Sequence, residues 1–418
     1  MMFASRSSRL LIGAALIVGA VALASRVGEA HKPITSKYTY NDDVFPIVRE
    51  KCARCHVDGG VAPMSLMTYE EAIPWAESIR EELIALHMPP WNAEAGFGEF
   101  KHERRLTAKE LDVIMTWASG GNPRGALDQT VPQVALNNDW TMGEPDWKML
   151  LPAAFTLAAD KMEDTQEFTL ATGMTEARWV RAVDLLPGTP AIVRSAVIYV
   201  KREKTSDVPR DFGPAAAIEP DHVLERWLPG QDPEPIDNGT AFKLPAGAEL
   251  GVRIHYKKTW QFEGKPMTDR STVGVYFALE KSAQELLVVH VAAPENAAPK
   301  DKMLSFTQTI DQDVEALAVT PDQVAPNITL QVEAVLPDGT RTPIIRLNTR
   351  ADWARRYWFD KPITIPRGTK IKVTANFEDP DLLLSAFGGL LAPKPPAQPS
   401  AMRLALDVIP ANAKPYAP

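Results

Sequence analysis

Two hydrophobic periodicities divide the chain. Up to about residue 125 the apolar positions recur at helical spacing; from about Leu150 they alternate or fall in short blocks, as strands do. In the first part, Asn41 followed by Asp42 and Asp43 reads as a helix N-cap with an acidic first turn, continuing through Val44, Ile47 and Val48. Thr68 and Glu71 have capping-box spacing ahead of a helix ending near Leu86. Thr107 and Glu110 repeat that spacing. The helix they start, with Leu111, Ile114, Met115 and Ala118 on one face, stops at Gly120-Gly121. In the second part the pattern predicts strands over 179–183, 191–200, 249–256, 272–279, 286–291, 329–335 and 370–377, separated by Pro-Gly, Asp-Gly and Pro-Ala-Gly turns. Such spacing belongs to sandwiches or jelly rolls. The expected fold is therefore multidomain: a small all-α domain over 36–128, then two all-β jelly-roll (β-sandwich) domains over 150–282 and 283–418. A linker punctuated by Pro, Gly and Asn occupies 129–149, and a Pro-rich surface loop occupies 392–399.

Length and charge narrow this picture. With 418 residues the chain is too long for one domain. Arg6 and Arg9 precede an apolar run from Leu10 to Ala24, with small residues after it, so residues 1–30 read as a secretory signal cleaved after Ala24 or Ala30. The run is short and rich in small residues, which disfavours a permanent membrane span. No cysteine follows closely enough to carry a lipid. The expectation is a periplasmic or otherwise exported protein. A formal net charge of −8 without basic clusters disfavours nucleic-acid binding.

The candidate chemistry lies in the only two cysteines, Cys52 and Cys55, followed by His56 in Cys-Ala-Arg-Cys-His. Two thiols two residues apart can add to the two vinyl groups of one haem, with the adjacent imidazole placed to ligate the iron. Other readings are a redox dithiol, half of a zinc site, or a structural disulfide. Zinc needs two more ligands nearby, and there is no further cysteine. A thioredoxin-like dithiol opens a helix after a strand and does not require the histidine. One covalent haem c is expected. Its sixth ligand is expected to be Met88, in Leu86-His87-Met88-Pro89-Pro90-Trp91, where the proline pair should hold the chain extended. Met64 and Met67 compete but are assigned to core packing. His87 would give a bis-His haem of lower potential.

The wording of the larger half is familiar: Trp140, Gly143-Glu144-Pro145-Asp146, Met174-Thr175-Glu176-Ala177-Arg178-Trp179-Val180-Arg181-Ala182-Val183, Leu228-Pro229-Gly230-Gln231, Leu244-Pro245-Ala246-Gly247, Val252-Arg253-Ile254-His255-Tyr256 and Asp269-Arg270. The first half adds Gly60-Val61-Ala62-Pro63, Tyr69-Glu70-Glu71-Ala72-Ile73-Pro74-Trp75-Ala76 and Met88-Pro89-Pro90-Trp91. The chain resembles bacterial fusions of a cytochrome c to a copper type II ascorbate-dependent monooxygenase module, related to peptidylglycine α-hydroxylating monooxygenase. The resemblance implies two jelly rolls across a cleft, one with a three-histidine copper and one with a His-x-His plus Met copper.

Position by position, those ligands are mostly missing. The adjacent histidine pair falls where Arg194 and Ser195 stand, and the third histidine matches His255. The His-x-His falls in Val319-Thr320-Pro321-Asp322-Gln323-Val324, which holds no histidine, and Met402 is the candidate match for the thioether ligand. Alternation of Leu250, Val252, Ile254 and Tyr256 with Arg253, His255 and Lys257 puts His255 on the polar face of a strand. A cation at 194 repels a metal. Replacement sites using His222 or His290 with His255, or the imidazole and amine of His31 after cleavage, are outsiders. Two functions follow. One is an electron-transfer cytochrome, whose degenerate module, expected to bind no copper, docks a redox partner protein or holds a small molecule. The other is a copper- and haem-dependent monooxygenase acting on an organic substrate. An open-iron catalytic or gas-sensing haem would require Met88 not to bind.

Overall fold

The computed structural model describes residues 35–201, 223–236, 239–278, 284–295, 297–350, 353–378 and 402–411. Residues 1–30, expected to be a secretory signal, and His31, His222 and the Pro-rich 392–399 lie outside the described residues.

The helical part begins two residues earlier than Asn41 suggests. Thr39 is the cap: its Oγ1 accepts from the Asp42 N–H, while its own N–H donates to Asp43 Oδ2 at 2.8 Å. Asn41 is instead buried inside a π-helical turn, Tyr40–Val44, with Nδ2 donating to Gln129 O at 3.1 Å. Both side chains can cap a helix, and the threonine takes the place, with Asp43 reaching back to close the reciprocal bond. The turn runs into α1 (Phe45–Lys51). The capping box of Thr68 and Glu71 opens α2 (Tyr69–Ala72), which continues through a 3₁₀ turn, Ile73–Trp75, into α3 (Ala76–Ile84). Leu86, at φ 55°, ends that run. The box of Thr107 and Glu110 opens α4 (Ala108–Ser119). Each such cap is worth about 1 kcal/mol.

The buried face of α4 is Val113, Ile114, Trp117 and Ala118 rather than the Leu111–Met115 face. Trp117 decides this. It is fully buried, donates from Nε1 to Pro123 O at 3.1 Å, and packs its ring 5.8 Å from Tyr40. Leu111 and Met115 lie only partly buried at the margin of the same core.

The strands of the first β unit are β1 (Trp147–Leu150), β2 (Phe155–Leu157), β3 (Glu163–Ala171), β4 (Arg178–Leu186), β5 (Val193–Lys201) and β6 (Val223–Trp227). They continue as β7 (Thr240–Leu244), β8 (Glu249–Lys257), β9 (Met267–Asp269), β10 (Thr272–Phe277) and β11 (Gln284–Glu285). The second unit holds β12 (Leu287–Ala292), β13 (Met303–Thr309), β14 (Val314–Gln323) and β15 (Thr329–Val335). It ends with β16 (Arg341–Asn348), β17 (Tyr357–Ile365), β18 (Lys370–Asn376) and β19 (Arg403–Pro410). In the first unit a five-stranded sheet, β1-β10-β4-β7-β11, faces a four-stranded sheet, β3-β8-β5-β6. In the second, β12-β19-β14-β17 faces β13-β18-β15-β16. Each pair encloses its own apolar core, giving two β-sandwiches. Alternation is clean where one face is solvated: Leu330, Val332 and Ala334 of β15 are buried and their neighbours are not.

The helical segment is not self-contained. After α3, residues 91–102 leave it and enter the second sandwich, where Ala93 bridges Leu347 and Phe100 bridges Phe359. Trp91 sits edge-on to Tyr357 at 5.5 Å, and Phe100 stacks on Phe359 at 5.6 Å. This arm anchors the helical part to the far end of the chain, and it brings Met88 and Arg104, at its two roots, beside the β units. Among the described residues no helix is long and apolar enough to cross a membrane.

Candidate functional site

The turn after α1 is wound tightly by its own backbone. Cys52 N–H closes α1 on Val48 O at 2.8 Å, His56 N–H donates to Cys52 O at 2.9 Å, and Leu66 N–H donates to His56 O at 3.1 Å. Gly60 is required here, because a Cβ would lie 2.3 Å from Cys55 O. The two thiols and His56 thereby border one cavity of about 370 Å³, which Met64 and Met88 also line. Its walls are apolar, from Val44, Val48, Leu66, Ile79, Leu83 and Ile114, closed at the back by Tyr40 and Trp117.

Neither cysteine forms a disulfide. Burial pushes the Cys52 thiol up to about 12. Burial also raises the Cys55 thiol, against the pull of the guanidinium groups of Arg104, Arg194, Arg355 and Arg54. Both thiols are protonated at neutral pH. His56 is held neutral by burial, and its Nδ1 lies 3.2 Å from Met64 O. A carbonyl can only accept, so Nδ1 carries the hydrogen and Nε2 keeps the lone pair a metal needs.

The competing sixth ligands are placed differently. Met67 is buried in the helical core and does not reach the cavity. His87 turns outward, with Nδ1 2.9 Å from Glu82 Oε2. Met64 also lines the cavity, but from the same turn as His56, whose Nδ1 donates to its carbonyl. Met88 approaches from the end of α3. The segment around it bends rather than running extended, because Trp91 N–H folds back to Pro89 O at 2.7 Å; the Met88–Pro89 bond is cis.

The β units complete the cavity, which nothing in the residue pattern suggested. The loop at Leu228-Pro229-Gly230-Gln231 closes over Cys55: Sγ is 3.8 Å from Pro229 O. Gly230 has φ +70°, and a Cβ there would stand 2.8 Å from Arg54 Cβ. Arg194 lies in a bulge of β5, where Val193 pairs with Tyr256 and Ser195 with His255, leaving Arg194 as the extra residue. A bulge re-aims a side chain, and this one turns Arg194 into the cavity wall. Trp353 and Arg355, just before β17, line the opposite side. Arg355 is 7 % exposed, its guanidinium lies 5.3 Å from the Trp91 ring, and it donates to Pro90 O at 2.8 Å. Its Nε is buried with no partner among the described residues. A signal for these residues was present in Trp353-Ala354-Arg355-Arg356-Tyr357-Trp358, two adjacent arginines among aromatics at the start of a strand.

The copper-site positions are built differently. Ser195 and His255, which the resemblance assigns to the three-histidine position, are register partners on adjacent strands. Its contents are Arg194, Ser195 and a lone imidazole, whose Nδ1 lies 3.1 Å from Thr165 Oγ1 and whose Nε2 lies 3.9 Å from Glu163. At the second position Asp322 takes Arg226 at 2.7 Å and Arg403 at 2.9 Å, an ion triad that ties β6 to β14 and β19. Met402 is buried in the second core. His290, on β12, pairs in register with Ala405 on β19. Among the described residues no three or more His, Cys, Asp or Glu side chains are grouped so as to hold a metal ion.

No family model matches the chain, and no curated protein matches it. Among solved structures, it is similar to a quasi-atomic model of the PBCV-1 virus capsid at 7 % identity, covering 69 % of this chain and 98 % of that one with a TM-score of 0.21. It is similar to allantoicase at 9 % identity, covering 52 % and 74 %, with a TM-score of 0.16. A structure of the Macrobrachium rosenbergii nodavirus is 10 % identical over 70 % of this chain and 98 % of that one, also at 0.16. Likenesses of that size carry no argument about fold or function.

Proposed function

We propose that the chain is an exported mono-haem c-type cytochrome that acts in electron transfer, its helical segment being the cytochrome c domain. In this reading the sandwiches are a degenerate copper-monooxygenase-like jelly-roll pair that serves to dock or scaffold. The observation that carries it is the convergence of Cys52, Cys55, His56 and Met88 on one apolar cavity, with a buried guanidinium nitrogen at its rim that has no partner among the described residues. Those residues fit haem c. Cys52 and Cys55 would hold it by thioether bonds, and His56 Nε2 and Met88 Sδ would be its axial ligands. Bound there, haem supplies a one-electron couple whose potential rises with His/Met ligation and with an apolar surround. The chain's own part is to fix the His56 tautomer through Met64 O, to exclude water with Tyr40, Leu83 and Trp117, and to close the rim with the loop at Gly230.

The monooxygenase reading needs histidines at two positions. Arg194 faces one, and a carboxylate bound by two arginines fills the other, so the residues favour electron transfer with a partner protein. The test is denaturation followed by extraction in acid solvent. The haem should stay with the polypeptide and give a c-type pyridine haemochrome. An extractable haem, or a Cys52–Cys55 disulfide in the purified protein, would overturn the reading.

A further inference from the structure

A second cavity, of about 160 Å³, adjoins the first and shares a wall with it: Arg54, Val61, Pro229, Gly230 and Gln231 border both. The rest of its lining comes from the linker, at 136–139 and 141, and from the end of β4, where Asp184 borders it. The space holds a few water molecules among polar groups. Asp184 is 6 % exposed, and Glu225, on β6, is 4 % exposed. The hydrogen bonds that hold these two carboxyls come from neutral donors. Asp184 Oδ1 accepts from the Leu185 N–H at 2.8 Å, and the same carboxyl takes the Trp227 side chain. Glu225 Oε1 accepts from the Arg226 N–H at 2.8 Å and from Gln231 Nε2 at 3.5 Å.

The charged groups around the two are of both signs. Glu225 and Asp232 oppose ionisation of Asp184, and Asp232 is itself paired with Arg54 and Arg104. Tyr276, on the neighbouring strand, feels the Asp184 charge, and Arg54 and Asp139 border the same cavity. Around Glu225, Arg356 and Arg226 favour ionisation and Asp407 opposes it; those two cations are already paired with Asp407 and Asp322. Burial outweighs the rest and pushes each carboxyl up to about 7. At neutral pH the pair therefore stands between its protonated and ionised forms. Gln231 joins it to the first cavity: Nε2 reaches Glu225, Oε1 is buried with no partner among the described residues, and the residue lines both spaces.

On the haem reading above, we infer that Asp184 and Glu225 make this a proton-coupled electron carrier, the pair taking up a proton when the haem is reduced and releasing it on reoxidation. The electron comes from the redox partner protein and goes to ferric iron. The proton comes from water in the second cavity and goes to a carboxylate oxygen, which becomes a carboxylic acid; no other bond is made or broken. The cause is electrostatic. A carboxylate beside the cavity gains affinity for a proton when the positive charge there falls by one. Low pH therefore favours reduction, and the potential falls as pH rises through the window where the pair titrates, with a level stretch on either side.

The experiment measures the midpoint potential of the full haem-loaded chain from about pH 5 to about pH 9, which spans the ordinary carboxyl and histidine ranges, for wild type, Asp184→Asn, Glu225→Gln and the double variant. Haem content and far-ultraviolet circular dichroism establish loading and folding. Wild type should show the fall around neutral pH. Each single variant should move it about one unit to the acid side, because the remaining carboxyl no longer faces a like charge. The double variant should lose it and keep the higher, acid-limit potential throughout. Reduced-minus-oxidised infrared difference spectra should show a protonated carboxyl appearing on reduction in wild type and not in the double variant. A wild-type potential that is level over the whole range overturns the inference and leaves the haem reading standing. So does a fall that persists unchanged in the double variant, since the proton would then sit on another group. A wild-type chain without covalent haem overturns the inference together with the reading beneath it. Should the double variant misfold, the acid shift in Asp184→Asn, whose amide oxygen can still accept from Leu185, decides alone.

Discussion

Met88→Ala should abolish the thioether-to-iron charge-transfer band at the red edge of the ferric spectrum and lower the haem potential. The expectation rests on position. Met88 lines the cavity from the segment after α3, a different element from the turn that carries His56, whereas Met64 belongs to that same turn and holds His56 Nδ1 with its carbonyl. A thioether favours ferrous over ferric iron, so its loss lets water or another ligand in and moves the potential down. Truncating Met88 also deletes a partly buried side chain in the helical core, so the variant should unfold more easily. Met64→Ala should keep the band. If the band survives Met88→Ala and disappears with Met64→Ala or Met67→Ala, the ligand assignment is wrong.

Arg356→Ala should cost about 3–5 kcal/mol of folding stability, the range for removing one partner of a buried ion pair. Arg356 is 6 % exposed and stands between the sandwiches. It donates from Nε to Asp407 at 3.1 Å and from its two terminal nitrogens to Leu224 O at 2.9 Å and Val223 O at 2.8 Å. Its plane also lies near the rings of Phe242 and Trp358, at 5.2 and 5.3 Å. Without it, Asp407, whose carboxyl burial already pushes up, loses its ion-pair partner, and two strand carbonyls lose their donor. Adding Asp407→Asn should return part of the loss, because a neutral amide tolerates burial better than a lone carboxylate. Urea unfolding of the single and double variants measures both. A single variant within 1 kcal/mol of wild type, by the usual range for surface pairs, would mean that the sandwich interface is held elsewhere.

What the sequence made legible was mostly local. The two capping boxes depend on residues three apart, and both formed where read. The strands at 249–256, 329–335 and 370–377 were visible because one face is buried and the other solvated. β3 was not, because of its nine residues only Leu170 is fully buried and the rest read as polar chain. β14 hid behind Pro321, and β19 behind the Pro-rich stretch before it. The cavity's cysteines and histidine sit within five positions and could be read directly. Arg194, Arg355 and the Gly230 loop could not, since they arrive through a bulge, a strand approach and a turn joined only by tertiary packing. The arm at 91–102 is the same case: Trp91 looks like cytochrome sequence and packs in the second sandwich.

The central claim is that this chain carries one haem iron and no catalytic copper. Elemental analysis of the purified, full-length protein, after incubation with excess copper and desalting, tests it most directly. The account predicts one iron and substoichiometric copper per chain, with no substrate-dependent oxygen uptake driven by ascorbate. Tightly held stoichiometric copper together with such oxygen consumption would contradict it and restore the monooxygenase.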